Sequence, residues 1–234
     1  MTYTFDDSPD RHSKLAEAHR MAMKLLEAAE ETRLFRAGVS ELQLSREIQA
    51  LGRDLFGTFK HWHRRIVRAG PNTLHTCSDD PPDLVVQPDD ILFVDLGPMF
   101  DSWEADIGRT YVVGDDPEKI RMRDSIEAAW RSGRDYFRRN RDSATCAEMY
   151  ELAAEAARSS GYEYANWHAG HLIGNFPHEV VQGELEENYL HPGNRTRLCD
   201  PDGGGRPRTW IYEIHFIDRE RGYGGFFEQW LEVD

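Results

Sequence analysis

The chain has 234 residues, enough for one sizeable domain or two small ones, and 39% of them are hydrophobic, with 11 Phe, 9 Tyr and 6 Trp to build a core. A formal net charge of −14 argues against nucleic acid or an anionic membrane as partner, because both reward basic surfaces. The cysteines, Cys77, Cys146 and Cys199, are odd in number and form no Cys-x-x-Cys pair, which argues against a disulfide framework or structural zinc site and for reduced thiols in a cytoplasmic setting. Met1 to Asp10 is polar and acidic, unlike a signal peptide, and no run approaches the ~20 apolar residues that cross a bilayer.

Leu15, Met21, Leu25, Leu26 and Ala29 predict an amphipathic helix from about Ser8 to Thr32, broken by Gly38. Ser40, with Gln43 as its capping-box partner, predicts a second helix to about Leu55, ended by Gly57. His61 to Ala69 reads as a strand. Gly70 to Pro82 reads as a loop whose one residue of chemical interest is His75. Ile91 to Pro98 and Trp103 to Val113 are apolar, β-prone runs around a turn-like segment, and together they predict a hairpin. Folded about Phe100 and Asp101, it sets Asp95 opposite Asp106, with Cβ atoms about 5 Å apart. Like charges so placed in apolar strands destabilise each other unless something neutralises them, and a divalent cation would do so. Taken alone, the pair reads equally well as edge aspartates facing water.

Pro117 opens a predicted helix to about Asn140, and Thr145 with Glu148 opens another to about Ser159, followed by Gly161. The segment Trp167 to Glu179 follows and holds His168, His171 and His178. His191 to Thr209, rich in Gly and Pro, reads as a surface loop on the rim of a site. Trp210 to Ile217 and Gly225 to Val233 predict a second hairpin. Folded about Glu220 and Arg221, it sets Glu213 opposite Glu228. The second half therefore repeats the first in outline, two helices and then a hairpin carrying two carboxylates, without a letter-by-letter repeat. Four acids in apolar strands rarely stay unpaired, and two metal ions between the hairpins would bind all four.

These pieces resemble a known family. Asp95, Asp106, His171, Glu213 and Glu228 stand in Val94-Asp95-Leu96-Gly97, Ala105-Asp106-Ile107-Gly108-Arg109-Thr110, Gly170-His171-Leu172-Ile173-Gly174 and the two last strands. Their order and contexts are similar to those of the five metal ligands of the pita-bread metallopeptidases, which include methionine aminopeptidase, aminopeptidase P, prolidase and creatinase. His178, seven residues after His171, adds to a match running from roughly Ala16 to Val233.

The resemblance implies an α+β pita-bread fold, with two pseudo-symmetric ααββ halves around a curved, mostly antiparallel sheet. It implies one catalytic domain over residues 1–234, with no extra N-terminal domain. Two divalent ions, manganese, cobalt, iron or zinc, are implied as well. Asp95 would hold one, His171 and Glu213 the other, and Asp106 and Glu228 would bridge. A hydroxide between such ions is nucleophilic at neutral pH, because metal binding lowers the pKa of water from ~15.7 towards ~7. Glu213 resembles the family residue that passes the proton to the leaving amine. His75 and His178 match histidines that contact substrate and stabilise the tetrahedral intermediate.

The implied function is an aminopeptidase or dipeptidase, Xaa-Pro types included, acting on a peptide or small amide, with a homodimer as one option for assembly. Two departures stand out: Ile214 and His215 follow Glu213 where many relatives have Pro, and Phe226 stands where prolidase and aminopeptidase P carry Arg. The absent Arg weakens the case for Xaa-Pro specificity. Two alternatives therefore stay open, an enzyme of the same fold acting on a small amide, amidine or betaine-like metabolite, and an inactive binding module. His168 and His215 read as structural, His61, His63 and His191 carry no signal, and Trp103, Trp210 and Trp230 read as core.

Overall fold

A computed structural model describes residues 10–57, 59–176, 186–202 and 205–232. Helix α1, Arg11–Glu31, buries Leu15, Ala18, Ala22, Leu25, Leu26 and Ala29 along one stripe, while Met21 is only half-buried. It ends well before Gly38, because Arg33 turns the chain with a φ of 53°. In α2, Glu41–Phe56, the Ser40 hydroxyl accepts from Gln43 N at 3.2 Å, but the Gln43 side chain turns to Glu47, so only half of the expected capping box forms. The predicted strand 61–69 is broken into β1, Lys60–His61, and β2, Ile66–Ala69.

The first hairpin comprises β3 (Ile91–Leu96), β4 (Pro98–Phe100), β5 (Trp103–Glu104) and β6 (Ile107–Val112). Its register differs from the sequence expectation: Asp95 pairs with Gly108, not Asp106. The turn is Asp101-Ser102, one residue later than predicted, with both φ values positive at 49° and 73°. Two-residue turns of that hand match the right-handed twist of the strands they join. Moving the turn by one residue moves every pair by two, which keeps both aspartates on one face.

Helix α3 (Pro117–Arg139) is capped by Asp116, and α4 (Cys146–Ser159) by the full Thr145–Glu148 capping box. Strands β7 (Glu163–Tyr164), β8 (Ile211–Asp218) and β9 (Tyr223–Trp230) complete the chain, and Glu213 pairs with Glu228 as expected. The main sheet runs β2-β3-β6-β9-β8-β7 and every pairing in it is antiparallel. Read inward from either edge, the two triplets match, so the two ααββ halves meet at β6 and β9.

Side-chain alternation divides the sheet into two faces. Val67, Leu92, Val94 and Leu96 pack with Leu25, Leu26, Leu44 and Ile48 of the first helix pair. Tyr212, Ile214 and Phe216 pack with Met122, Ile126, Trp130 and Met149 of the second. The intervening residues, among them Phe93, Asp95, Glu213, His215, Phe226 and Glu228, turn to the other face. The seam between halves has a single ladder pair, Gly108 with Glu228. Side chains reinforce it: Thr110 Oγ1 accepts from Phe226 N at 2.7 Å and donates to Phe226 O at 2.8 Å, and Arg109 donates to Glu228 O at 2.9 Å.

The 191–209 stretch is a correction to the sequence reading. Its described residues do not line the cleft of the sheet face; they cap α4, whose first amides, Cys146 and Ala147, donate to Thr196 O and Asn194 O. Among the described residues, no helix is long and apolar enough to cross a membrane.

Candidate metal centre

The registers align one row across four strands: Asp95 on β3, Gly108 on β6, Glu228 on β9 and Glu213 on β8. Asp106, two residues before Gly108, shares that face. The gap at Gly108 is required by the row, because a Cβ there would lie 2.5 Å from the Phe226 ring and 3.0 Å from Glu228 Cβ. All four acids are buried, with 2% exposure for Asp106 and Glu228, 6% for Glu213 and 8% for Asp95. Acids this buried are rare without partners.

His171 reaches the acids from a segment laced between the hairpins. Ile211 N donates to His171 O and Ile173 N to Thr209 O, while Glu104 N donates to Gly174 O and Phe176 N to Ser102 O. His171 Nε2 lies 3.2 Å from Asp106 Oδ2 and 3.7 Å from Glu228 Oε1, and Nδ1 lies 2.7 Å from Leu172 O. Two donor groups result, Asp106/His171/Glu228 and His63/Asp95/Asp106, each with its donor atoms within 4.8 Å of one another. Asp106 belongs to both. Glu213 stands beside them in the same cleft, with Oε1 2.7 Å from His168 Nδ1.

Two histidines gain partners in the structure. His168, read as structural, lies against the Glu213 carboxylate. His63, which carried no signal, reaches the acids themselves. Nothing local marks His63; the antiparallel pairings of β1 with β4 and β2 with β3, which run the chain past Gly97, bring it there. His215 matches its structural reading, with Nε2 2.9 Å from Thr73 O. His75 stands half-exposed on the cleft wall, its Nδ1 3.4 Å from Asp79 Oδ2. His178 lies outside the described residues. The cleft holds about 280 Å³, and Ile66, Phe93 and Phe226 form an apolar cluster in its wall.

The electrostatics are those of a site with excess negative charge. Burial pushes Asp95 up to about 7; His63 opposes the rise, and Asp106 and Glu213 add to it. Burial also holds Glu228 well above the carboxylate range, with Asp106 adding to the effect. Burial opposes the charged ring of His171, but hydrogen bonds to Asp106 and Glu228 outweigh it and raise its pKa strongly. Asp106 is held low: burial resists its ionisation, and His171 and His63 overcome that resistance. Among the described residues, Glu228 Oε2 has no hydrogen-bond partner despite its burial. Four buried carboxylates, with Glu213 Oε1 and Glu228 Oε2 both lacking a hydrogen-bond partner among the described residues, and an imidazole are a donor set that fits hard or borderline divalent cations.

A model of metallopeptidase family M24 matches residues 13–201. An Xaa-Pro dipeptidase of Lactobacillus helveticus is 29% identical over 168 residues, covering 68% of this chain and 45% of that protein. The chain therefore spans less than half the length of this curated relative. Among solved structures, a prolidase from Thermococcus sibiricus superposes with a TM-score of 0.74 at 21% identity, over 94% of this chain and 55% of that one. A methionine aminopeptidase from Thermotoga maritima superposes with a TM-score of 0.68 at 15% identity, over 99% of this chain and 100% of that one. These likenesses establish the pita-bread fold. The family implies binding of divalent metal.

Proposed function

The chain belongs to metallopeptidase family M24, and from that premise we propose that it is a metal-dependent hydrolase, an aminopeptidase or dipeptidase acting on amide bonds of short substrates. The observation that carries the reading is the convergence of Asp95, Asp106, His171, Glu213 and Glu228 from both halves of the fold onto one buried cleft. Because neither half supplies the set alone, residues 1–234 are read as one catalytic unit. Asp95, Asp106, His171, Glu213 and Glu228 would hold two divalent ions, manganese, cobalt, iron or zinc. Such ions supply a water of lowered pKa and polarise the scissile carbonyl.

The chain's own groups do the rest. Glu213 is the proton carrier of this reading, since its carboxylate lies in the cleft beside both donor groups, with Oε1 2.7 Å from His168 Nδ1, and could pass a proton toward the leaving amine. His75, on the cleft wall, is assigned to the substrate, and His178 keeps the same assignment on its spacing from His171. The cleft's volume of about 280 Å³ suits a dipeptide-sized ligand. Phe226, packed 5.4 Å from Phe93, gives the cleft an apolar wall where an Arg would recognise charge. That wall favours an uncharged substrate side chain, and it keeps a small amide metabolite as the second reading. The free thiols support a cytoplasmic setting.

The test is a panel of Xaa-Pro and other dipeptides, N-terminal peptides and small amides, presented to protein loaded with each of the four metals. The reading expects hydrolysis that chelation abolishes and metal restores. Hydrolysis indifferent to chelation, or no metal uptake, would sink it.

A further inference from the structure

We propose that His63 is a sixth protein ligand, closing the Asp95/Asp106 side of the centre; the inference rests on the reading of that centre as a metal site. Its geometry reproduces that of His171. His63 Nε2 lies 3.4 Å from Asp106 Oδ1 and 3.5 Å from Asp95 Oδ1, beside 3.2 and 3.7 Å for His171 with Asp106 and Glu228. Donors about 2.1 Å from one ion, at octahedral or tetrahedral angles, lie about 3.0 to 3.4 Å from each other. Each imidazole has one acid oxygen within that spacing, at 3.4 Å for His63 and 3.2 Å for His171, and a second just beyond it, at 3.5 and 3.7 Å.

The tautomer is set in the same way for both rings. His63 Nδ1 stands 2.7 Å from Arg64 O, and His171 Nδ1 stands 2.7 Å from Leu172 O. A carbonyl only accepts, so Nδ1 carries a hydrogen, which leaves Nε2 as the ring's ligand atom once an ion displaces its proton. A hydrogen bond of this kind is how metal-bound histidines are oriented. The surroundings are also shaped for the ring. A Cβ at Gly97 would lie 2.2 Å from His63 Cδ2 and 2.3 Å from Nε2, so the ring occupies space only a glycine leaves. Trp62 stands between the two histidines, with ring centroids 4.3 Å from His63 and 5.6 Å from His171. Its Nε1 donates to Ala105 O at 3.1 Å, which ties the segment to the residue before Asp106. The centre thus has one imidazole on each flank, with Asp106 between them.

The experiment is calorimetric titration of metal-free parent, His63→Phe and His63→Asp with zinc or manganese, joined to X-ray absorption of the zinc-loaded proteins. Phe keeps the ring volume beside Gly97; Asp keeps a ligand atom. The parent is expected to bind two ions and show two imidazoles per chain. H63F should bind one of the ions at least ~10–100-fold more weakly, the loss seen even when only a ligand's orienting partner is removed. H63D should recover affinity while showing one imidazole, and it carries the test if H63F does not fold. Unchanged affinity and two imidazoles in these variants overturn the assignment and leave His63 a hydrogen-bonding neighbour. A parent that takes up no ion overturns this inference together with the functional reading beneath it.

Discussion

The two acid-bearing hairpins solve one problem in different ways. In the second, Glu213 and Glu228 stand directly opposite each other. In the first, Asp95 faces Gly108, and the second aspartate lies two residues away. Aspartate is one methylene shorter than glutamate, so a staggered pair can converge on a point that a directly opposed pair of glutamates reaches by length. The stagger also leaves Gly108 facing Glu228 across the seam, where a side chain on both would collide. Asymmetry between nominally equivalent hairpins is therefore what lets both point their acids at one place.

The sharpest way to break this comparison is to remove the acid common to both donor groups. Asp106→Asn should lower activity by more than ~100-fold and reduce bound metal, a larger loss than the ~10–100-fold seen for groups one step removed from a metal. Glu213→Gln, in the other hairpin, should lower kcat while leaving more metal bound, as element analysis beside kinetics will report. Equal metal loss in both variants would erase the distinction between the hairpins.

Proton linkage tests the same crowding. Asp95 is raised to about 7 and His63 to about 9, the latter because Asp95 and Asp106 outweigh the burial that disfavours its charge. A group with a raised pKa stabilises the fold fully below its unfolded value and loses that contribution as pH rises through its folded value. The metal-free protein should thus become less stable from about pH 6.5 to about pH 9; below that range His19, lowered to about 4, and His61, lowered to about 3, add stability with rising pH and oppose Asp95. Added divalent ion should raise the melting temperature more at pH 8 than at pH 5.5, since the ions replace protons. Melting curves with and without metal across that range check the sign.

Smaller effects sharpen the geometry. Gly108→Ala should cost about 1–3 kcal/mol in denaturant unfolding, because its methyl meets the Phe226 ring and the Glu228 stem. Asp101→Gly should stabilise the first hairpin by up to ~1 kcal/mol, since it relieves a left-handed conformation at an exposed turn. It should leave activity unchanged.

Much of this arrangement was legible in the sequence. Helix caps at Ser40 and Thr145, and the alternation of strands around Glu213 and Glu228, carry their signals within a few residues. The register of the first hairpin was not legible, because its turn uses Asp and Ser at positive φ where Gly or Asn would have marked it. His63 was missed for a different reason: its partners lie in a hairpin distant in sequence, and a lone histidine reveals nothing of what it faces. The 191–209 stretch has the composition of a free loop, and its work at the α4 terminus depends on main-chain carbonyls that no residue type announces.

The placement of the histidines bears on how the chain is made. Translation delivers Asp95 and Asp106 long before Glu228 exists, so the nascent first half carries two clustered anions without its other half. His63 precedes them in the same stretch and supplies an imidazolium to answer them. Glu213 likewise has His168 made ahead of it. Each half therefore carries a histidine beside its own acids, and His171, which touches Asp106 from one half and Glu228 from the other, is placed only when both are docked.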